Sequence, residues 1–314
     1  MIYWTKLLID LVVLAVIFSI QQILTSNLIK PYQNNGFYCN DYSINLEYKS
    51  STVTNLHLIF ISLVSPIVIL LFIEVIKYTI KYCSKNKKQQ IKPYKIKLNK
   101  NRNIDVPHQI GDQCVLIGYF LFGLLSTNLI TNCGKLIIGR LRPNFLSVCK
   151  PNINPYTNLC LNKAYLIPDI DFQCLQLNLK DLQDARKSFP SGHSSLSFYS
   201  MIFLVLIFNH ICVNSRMIGV LLVRLFQVGF VSSAFMVALS RVTDNKHHPT
   251  DVLSGSIIGI VCALVTYWCL LKTSIKNYKI FEDNNSRDDS LVLNDPVELN
   301  NLNSEQKDSV KIFV

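Results

Sequence analysis

The sequence predicts an all-α, polytopic membrane protein with six transmembrane helices. Half of its 314 residues are hydrophobic and only 16% are charged, too little charge for a soluble protein of this length. The apolar residues gather into blocks instead of spreading at helical or strand spacing. Six blocks reach the roughly 20 residues that a helix needs to cross a bilayer. A large soluble protein with buried helices is the alternative reading of such a composition.

The first block, residues 7–29, is long and lacks a small-residue cleavage pattern before Asn27, so it reads as a span and not a removed signal. The second covers 56–80. From Lys77 to Arg102 the chain then carries ten basic residues, and no acid intervenes before Asp105. Positive charge of this kind marks a cytoplasmic loop, where it also meets anionic lipid headgroups. Spans flank the run too closely for a nucleic-acid partner to be the better reading, so the net charge of +11 is mainly a topology signal. The remaining blocks are 110–133, 194–213, 217–239 and 252–272. An even number of spans puts both termini in the cytoplasm and the loops 30–55, 134–193 and 240–251 outside or in a lumen.

Residues 1–275 form one membrane domain. Residues 276–314 are polar and acid-rich (Glu282, Asp283, Asp288, Asp289, Asp295, Glu298) and are expected to be a disordered cytoplasmic tail. The sequon Asn284-Asn285-Ser286 lies there and should be idle. Of the ten cysteines, Cys39, Cys149, Cys160 and Cys174 fall in outside loops, where disulfides persist. A bond between two of the three in loop 134–193 is expected, in a pairing that the sequence does not specify.

Three segments at span ends carry more chemistry than connections require. KLIIGRLRP (Lys135–Pro143) follows span three, and on a helix the seven-residue spacing would point Lys135 and Arg142 the same way. Taken alone, these could be cations snorkelling at a membrane edge. SFPSGHSS (Ser188–Ser195) precedes span four. Small residues around Gly192 can present backbone N–H groups at a helix start, which favours a phosphate oxygen beside His193. Taken alone, this could be a turn and helix cap. SRVTDNKHHPTD (Ser240–Asp251) joins spans five and six. With a helix starting near Pro249, Asp251 falls in its first turn and can accept a hydrogen bond from His247, leaving the other imidazole nitrogen as a nucleophile. Arg241 adds a cation, and His248 reads as the bystander histidine.

Charge bias, which uses none of these motifs, places all three on one membrane face. Together they supply Lys135, Arg142 and Arg241 with two histidines and Asp251. Magnesium or calcium would want several carboxylates, and only Asp251 belongs to the cluster. Zinc could use His193, His247 and Asp251, but three nearby cations would repel it. The cluster reads as a phosphate site with no metal and no cofactor.

In order and spacing, KLIIGRLRP, PSGH (Pro190–His193) and SRVTDNKHHPTD resemble the three motifs of the type 2 phosphatidate phosphatase superfamily, and every motif position matches. GFYCNDYS, STVTN and GRLRPNFLSVCKPN further resemble the animal lipid phosphate phosphatases, over roughly residues 5–275. The resemblance implies a phosphatase-type helical bundle. It assigns His247 as the nucleophile that forms a phosphohistidine, oriented by Asp251. It assigns His193 as the group that protonates the leaving alkoxide and then activates water. Lys135, Arg142, Ser191, Gly192 and Arg241 would bind the phosphate oxygens.

The function expected is hydrolysis of membrane lipid phosphates such as phosphatidate, lysophosphatidate, sphingosine 1-phosphate or ceramide 1-phosphate. The expected location is the plasma membrane, with endoplasmic reticulum or Golgi as alternatives, and a homo-oligomer is allowed. A phosphatase of soluble esters and a noncatalytic lipid-phosphate binder or transporter are the rival readings. Intact His193, His247 and Asp251 speak against the binder, since binding needs only the cations. A channel is disfavoured because Glu74 and Arg224 are the main charges within the spans.

Overall fold

The computed structural model describes residues 2–26, 29–32, 36–38, 41–83, 94–99, 102–152, 166–167, 172–176, 178–210 and 219–292. Cys39, Cys160, parts of the basic run and the tail beyond Val292 lie outside them.

Helix α1 covers Trp4–Thr25. Helix α2, Asn55–Ile59, passes through a π-helical turn at Phe60–Val64 into α3, Ser65–Cys83. Helix α4 covers His108–Ile138, and the short helices α5 and α6 cover Phe145–Cys149 and Leu179–Asp184. Helices α7, α8 and α9 cover Gly192–Phe208, Val220–Thr243 and Pro249–Val292. Among the described residues, five stretches are long and apolar enough to cross a membrane: Leu8–Thr25, Asn55–Ile76, Ile110–Ile138, Val220–Thr243 and Pro249–Leu270. The block expected as span four, 194–213, is apolar but helical as α7 over only 17 described residues.

Strands are few. β1 (Ile2–Tyr3), β3 (Tyr94–Asn99) and β4 (Arg102–Val106) make one small sheet. β2 (Phe37–Tyr38) pairs with β5 (Leu166–Ile167) in another. The hairpin β3–β4 falls in the basic loop.

Helix α7 is the centre of the bundle and packs against α9, α8 and α4. Its Tyr199, Phe203 and Leu204 are fully buried, and so are its small hydroxyl residues Ser194, Ser195, Ser197 and Ser200. Small side chains let helices approach closely, and their hydroxyls find partners across the gap. Ser195 Oγ lies 2.9 Å from Thr131 Oγ1, Ser200 donates to the Ser62 carbonyl at 2.6 Å, and Tyr199 donates to that of Phe120 at 2.9 Å. Bonds of this kind contribute roughly 0.6 kcal/mol each in membranes. On α9, Gly255 and Gly259 form a small-xxx-small pair. A Cβ on either would strike a carbonyl oxygen of α7 or its cap, that of Ser191 or Ser195. The outer surface is the reverse: Leu221, Leu225 and Val228 share one exposed stripe of α8, and Leu253, Ile257 and Val261 one of α9. Exposed leucine and isoleucine at helical spacing suit lipid contact.

The end of the bundle that holds the three motifs carries a cap with its own core. Phe37, Phe145 and Phe172 meet edge to face, with ring centroids 5.0 to 6.5 Å apart. Ile44, Leu141, Val148 and Ile167 pack around them. A disulfide between Cys149 and Cys174 closes this cap, giving the pairing that the sequence left open. The cap sits at the C-terminal end of α4, and the basic loop precedes that helix at its other end.

Candidate active site

Backbone hydrogen bonds stitch the three motif segments together. Arg142 N–H donates to the Ala185 carbonyl at 2.9 Å, and Ser188 N–H to that of Arg140 at 3.0 Å. Ser191 N–H donates to the Asp251 carbonyl at 3.0 Å. Segments far apart in sequence thus form one continuous wall.

Lys135 lies in the last turn of α4. The helix stops because Gly139 takes the left-handed conformation, φ +57°, and returns its N–H to the Lys135 carbonyl at 3.2 Å. Arg142 therefore follows the helix end in a turn. The two-turn helical spacing expected between Lys135 and Arg142 does not exist, and the reversal at Gly139 is what brings them together. Arg142 Nη2 donates to Asp184 Oδ1 at 2.8 Å, while its buried Nε has no hydrogen-bond partner.

Ser191 caps α7, and its hydroxyl accepts from Ser194 Oγ at 3.0 Å. Gly192 and His193 open the helix, where the first N–H groups have no intrahelical partner and favour an anion. Lys135 Nζ would lie 2.9 Å from a Cβ at Gly192, so glycine leaves the ammonium its place beside the helix start. His193 Nε2 is buried and has no hydrogen-bond partner. Its imidazole feels the charges of Arg241, Lys135 and Arg142, which come from the other two segments.

The third segment turns at the end of α8. Asn245 has φ +57°, and the Lys246 and His247 N–H groups donate back to the Arg241 carbonyl at 3.0 and 3.2 Å. Arg241 is 2% exposed and donates from Nη2 to Asp244 Oδ2 at 2.6 Å. His247 Nδ1 lies 2.6 Å from the Ser188 carbonyl oxygen. A carbonyl only accepts, so Nδ1 carries the proton and Nε2 keeps its lone pair. Burial pushes His247 down to about 4, with Asp251 pulling the other way, so the ring is neutral at physiological pH. His248 Nε2 instead faces the Leu141 carbonyl at 3.1 Å, which ties that ring to the cap.

Asp251 is fully buried in the first turn of α9, as expected. Its direct partners differ from those expected. Ser188 Oγ donates to Oδ2 at 2.6 Å, His248 N–H to Oδ2 at 3.0 Å and Arg140 Nη1 to Oδ1 at 2.5 Å. His247 Nδ1 is 3.9 Å from Oδ2, an electrostatic partner and no longer a hydrogen bond. Asp251 holds Ser188, and Ser188 holds His247.

All eight residues singled out in the sequence thus belong to one end of the bundle. Four others went unseen: Ser188 and Arg140, which lie within or beside the motifs, and Asp184 and Asp244, which pair with the arginines. Asp244 had a signal, its i,i+3 spacing from Arg241 at a helix end. Asp184 had none, because only the cap fold brings it to Arg142. Among the described residues no three His, Cys, Asp or Glu side chains gather as a metal-binding group.

The family model described as PAP2 superfamily matches residues 116–275, the stretch that holds every one of these groups. Phospholipid phosphatase 1 of Rattus norvegicus is 32% identical over 262 residues, covering 82% of this chain and 83% of its own. Phospholipid phosphatase 2 of Homo sapiens is 31% identical over 268 residues, covering 84% and 82%. A Drosophila melanogaster protein provisionally named phosphatidate phosphatase is 35% identical over 241 residues. The match takes in 75% of this chain but 61% of that relative, less than two thirds of its length. No solved structure matches the chain.

Proposed function

The chain belongs to the PAP2 superfamily, and from that premise we propose that it is a membrane phosphohydrolase of lipid phosphate monoesters. Substrates of the class of phosphatidate, lysophosphatidate, sphingosine 1-phosphate and ceramide 1-phosphate fit a site at span ends, where a headgroup meets water while its tails stay in lipid. The observation that carries the reading is the 2.6 Å contact of His247 Nδ1 with the Ser188 carbonyl, which leaves Nε2 its lone pair on a ring that feels the charges of Arg142 and Lys135.

In the first half-reaction, His247 Nε2 forms a bond to phosphorus as the phosphorus–oxygen ester bond breaks. Burial and the neighbouring cations hold His193 well below the ordinary histidine value, so in this reading its proton arrives with the substrate phosphate. His193 passes it to the leaving alkoxide, and the product is a phosphohistidine and a free lipid alcohol. In the second, neutral His193 takes a proton from water as the water oxygen attacks phosphorus. The phosphorus–nitrogen bond breaks, and orthophosphate leaves with His247 neutral again. Charge building on the phosphoryl oxygens is met by Lys135, Arg142 and Arg241, by the Ser191 hydroxyl and by the amides at Gly192. Fixed protein charges stand where other phosphatases use magnesium, so no step calls for a metal.

The site faces the extracellular or luminal side in this reading. The basic run supports it from the opposite end of α4, and the Cys149–Cys174 disulfide supports it from within the cap, since such bonds persist in oxidising compartments. Phosphate release from a panel of lipid phosphates and one soluble ester, wild type against His247→Ala, tests the function. Turnover of the soluble ester alone would favour the rival phosphatase, and no turnover of any ester would favour the noncatalytic binder.

A further inference from the structure

The first outside loop does more than join two spans. Residues 46–52 cross the motif end of the bundle as a strap. Leu46 N–H donates to the Pro143 carbonyl at 2.8 Å, and Tyr48 N–H to Ser147 Oγ at 3.2 Å. The Glu47 carbonyl accepts from Asn245 Nδ2 at 2.9 Å, and Lys49 Nζ donates to the Thr243 carbonyl at 3.2 Å. Lys246 Nζ sits 3.7 Å above the Tyr48 ring. The strap ends on Thr52, just before Thr54 caps α2.

Thr52 makes two bonds to one carboxylate. Its N–H donates to Asp244 Oδ2 at 2.8 Å and its hydroxyl to Oδ1 at 2.6 Å. Asp244 Oδ2 is also the acceptor for Arg241 Nη2 at 2.6 Å. Asp244 is 4% exposed and Arg241 2%, so water does not compete for either. Arg241 Nε and Nη2 also reach Ser240 Oγ, at 3.2 and 3.1 Å. A guanidinium held on that edge can offer a phosphate only its remaining nitrogen, Nη1, in the direction its partners set.

We propose that Thr52 and Asp244 are positioning residues for the phosphate site, with the strap aiming the Arg241 guanidinium through Asp244. Neither touches substrate. The inference rests on the reading of Arg241 as a phosphate ligand, and it adds a part of the chain that lies outside the 116–275 family match.

The test uses the full chain in detergent or vesicles, with Thr52→Val removing the hydroxyl at nearly constant volume. Vanadate affinity is read by protection against thermal unfolding, and KM and kcat by phosphate release. Loss of a hydrogen bond to a charged group is expected to weaken vanadate binding and raise KM by about tenfold, with a smaller fall in kcat. Thr52→Ser should restore both. If Thr52→Val does not fold, Thr52→Ala carries the same measurement.

An effect routed through Arg241 must shrink when Arg241 is already altered, whereas a general loosening adds. In an Arg241→Lys background, Thr52→Val should therefore cost less than about threefold further. Equal losses in both backgrounds, or unchanged vanadate affinity in Thr52→Val, would overturn the proposal. Vanadate binding without turnover in the wild type would count against the hydrolase reading alone, because the comparison of affinities stands without catalysis.

Discussion

Ser188 reaches His247 and Asp251 with different atoms: its carbonyl accepts from His247 Nδ1 at 2.6 Å, and its hydroxyl donates to Asp251 Oδ2 at 2.6 Å. The His247 ring is oriented by main chain, and the carboxylate orients the main chain. Ser188→Ala keeps the carbonyl but loses the hydroxyl, so kcat should fall by about tenfold, in line with one charged hydrogen bond. Asp251→Ala strands Arg140, Ser188 and the His248 amide together and should cost at least about a hundredfold. Steady-state kinetics on one lipid phosphate decides this, and full activity in Ser188→Ala would count against the relay.

The two adjacent histidines should separate cleanly. His247→Ala removes the nucleophile, so neither turnover nor a trapped phosphoenzyme should be seen after quenching with labelled substrate. His248→Ala loses a tie to the Leu141 carbonyl and should retain roughly a tenth or more of wild-type activity. Matching losses in both variants would undo the assignment.

The pH dependence carries a sign. His247 is held below the ordinary histidine value, at about 4, chiefly by burial. It therefore stays neutral and nucleophilic as pH falls through 6.5, and protonates only near 4. After the substrate's own second ionisation is divided out, the rate of phosphoenzyme formation should hold from pH 7 to about 5 and fall towards 4. Folding follows the same window. The unfolded chain takes up this proton from about pH 6.5, so His247 contributes stability above that value and loses it progressively down to about 4. Loss of the nucleophilic step centred at 6.5 would show an ordinary, solvated imidazole.

Catalysis should survive excess chelator. Asp251 is taken up by Arg140, Ser188 and His248, and Asp184 and Asp244 by the two arginines, which leaves the carboxylates committed. Vanadate should inhibit by adopting the five-coordinate shape of the transferring phosphoryl group. Activity abolished by chelator and restored by magnesium or zinc would mean that the cationic cradle is insufficient.

The sequence made five of its six expected spans and the places of the three motif segments legible, because hydropathy blocks and short spaced motifs are local. Pro249 and Asp251 opened a helix as placed. What escaped were relations made by folding. No spacing links Asp184 to Arg142 across 42 residues, or Thr52 to Asp244 across 192. Lys135 and Arg142 were grouped correctly on a helical spacing that Gly139 breaks. Asp251 was placed correctly, but the intervening role of Ser188 depends on a main-chain oxygen, which side-chain chemistry cannot reveal.

The arginines in this site are not bare. Arg142 already pairs with Asp184, whose side chain is 59% exposed, and Arg241 with Asp244, whose side chain is 6% exposed. Under the proposed function, an arriving phosphate meets guanidiniums that each already hold a carboxylate, so it gains less than it would from a bare arginine. The carboxylate can give way at Arg142, where water screens it, and stays in place at Arg241, where water does not. In the proposed cycle, orthophosphate left behind after hydrolysis would meet a carboxylate ready to reclaim Arg142, so the same pairing that tempers substrate capture would hasten the emptying of the site for the next turnover.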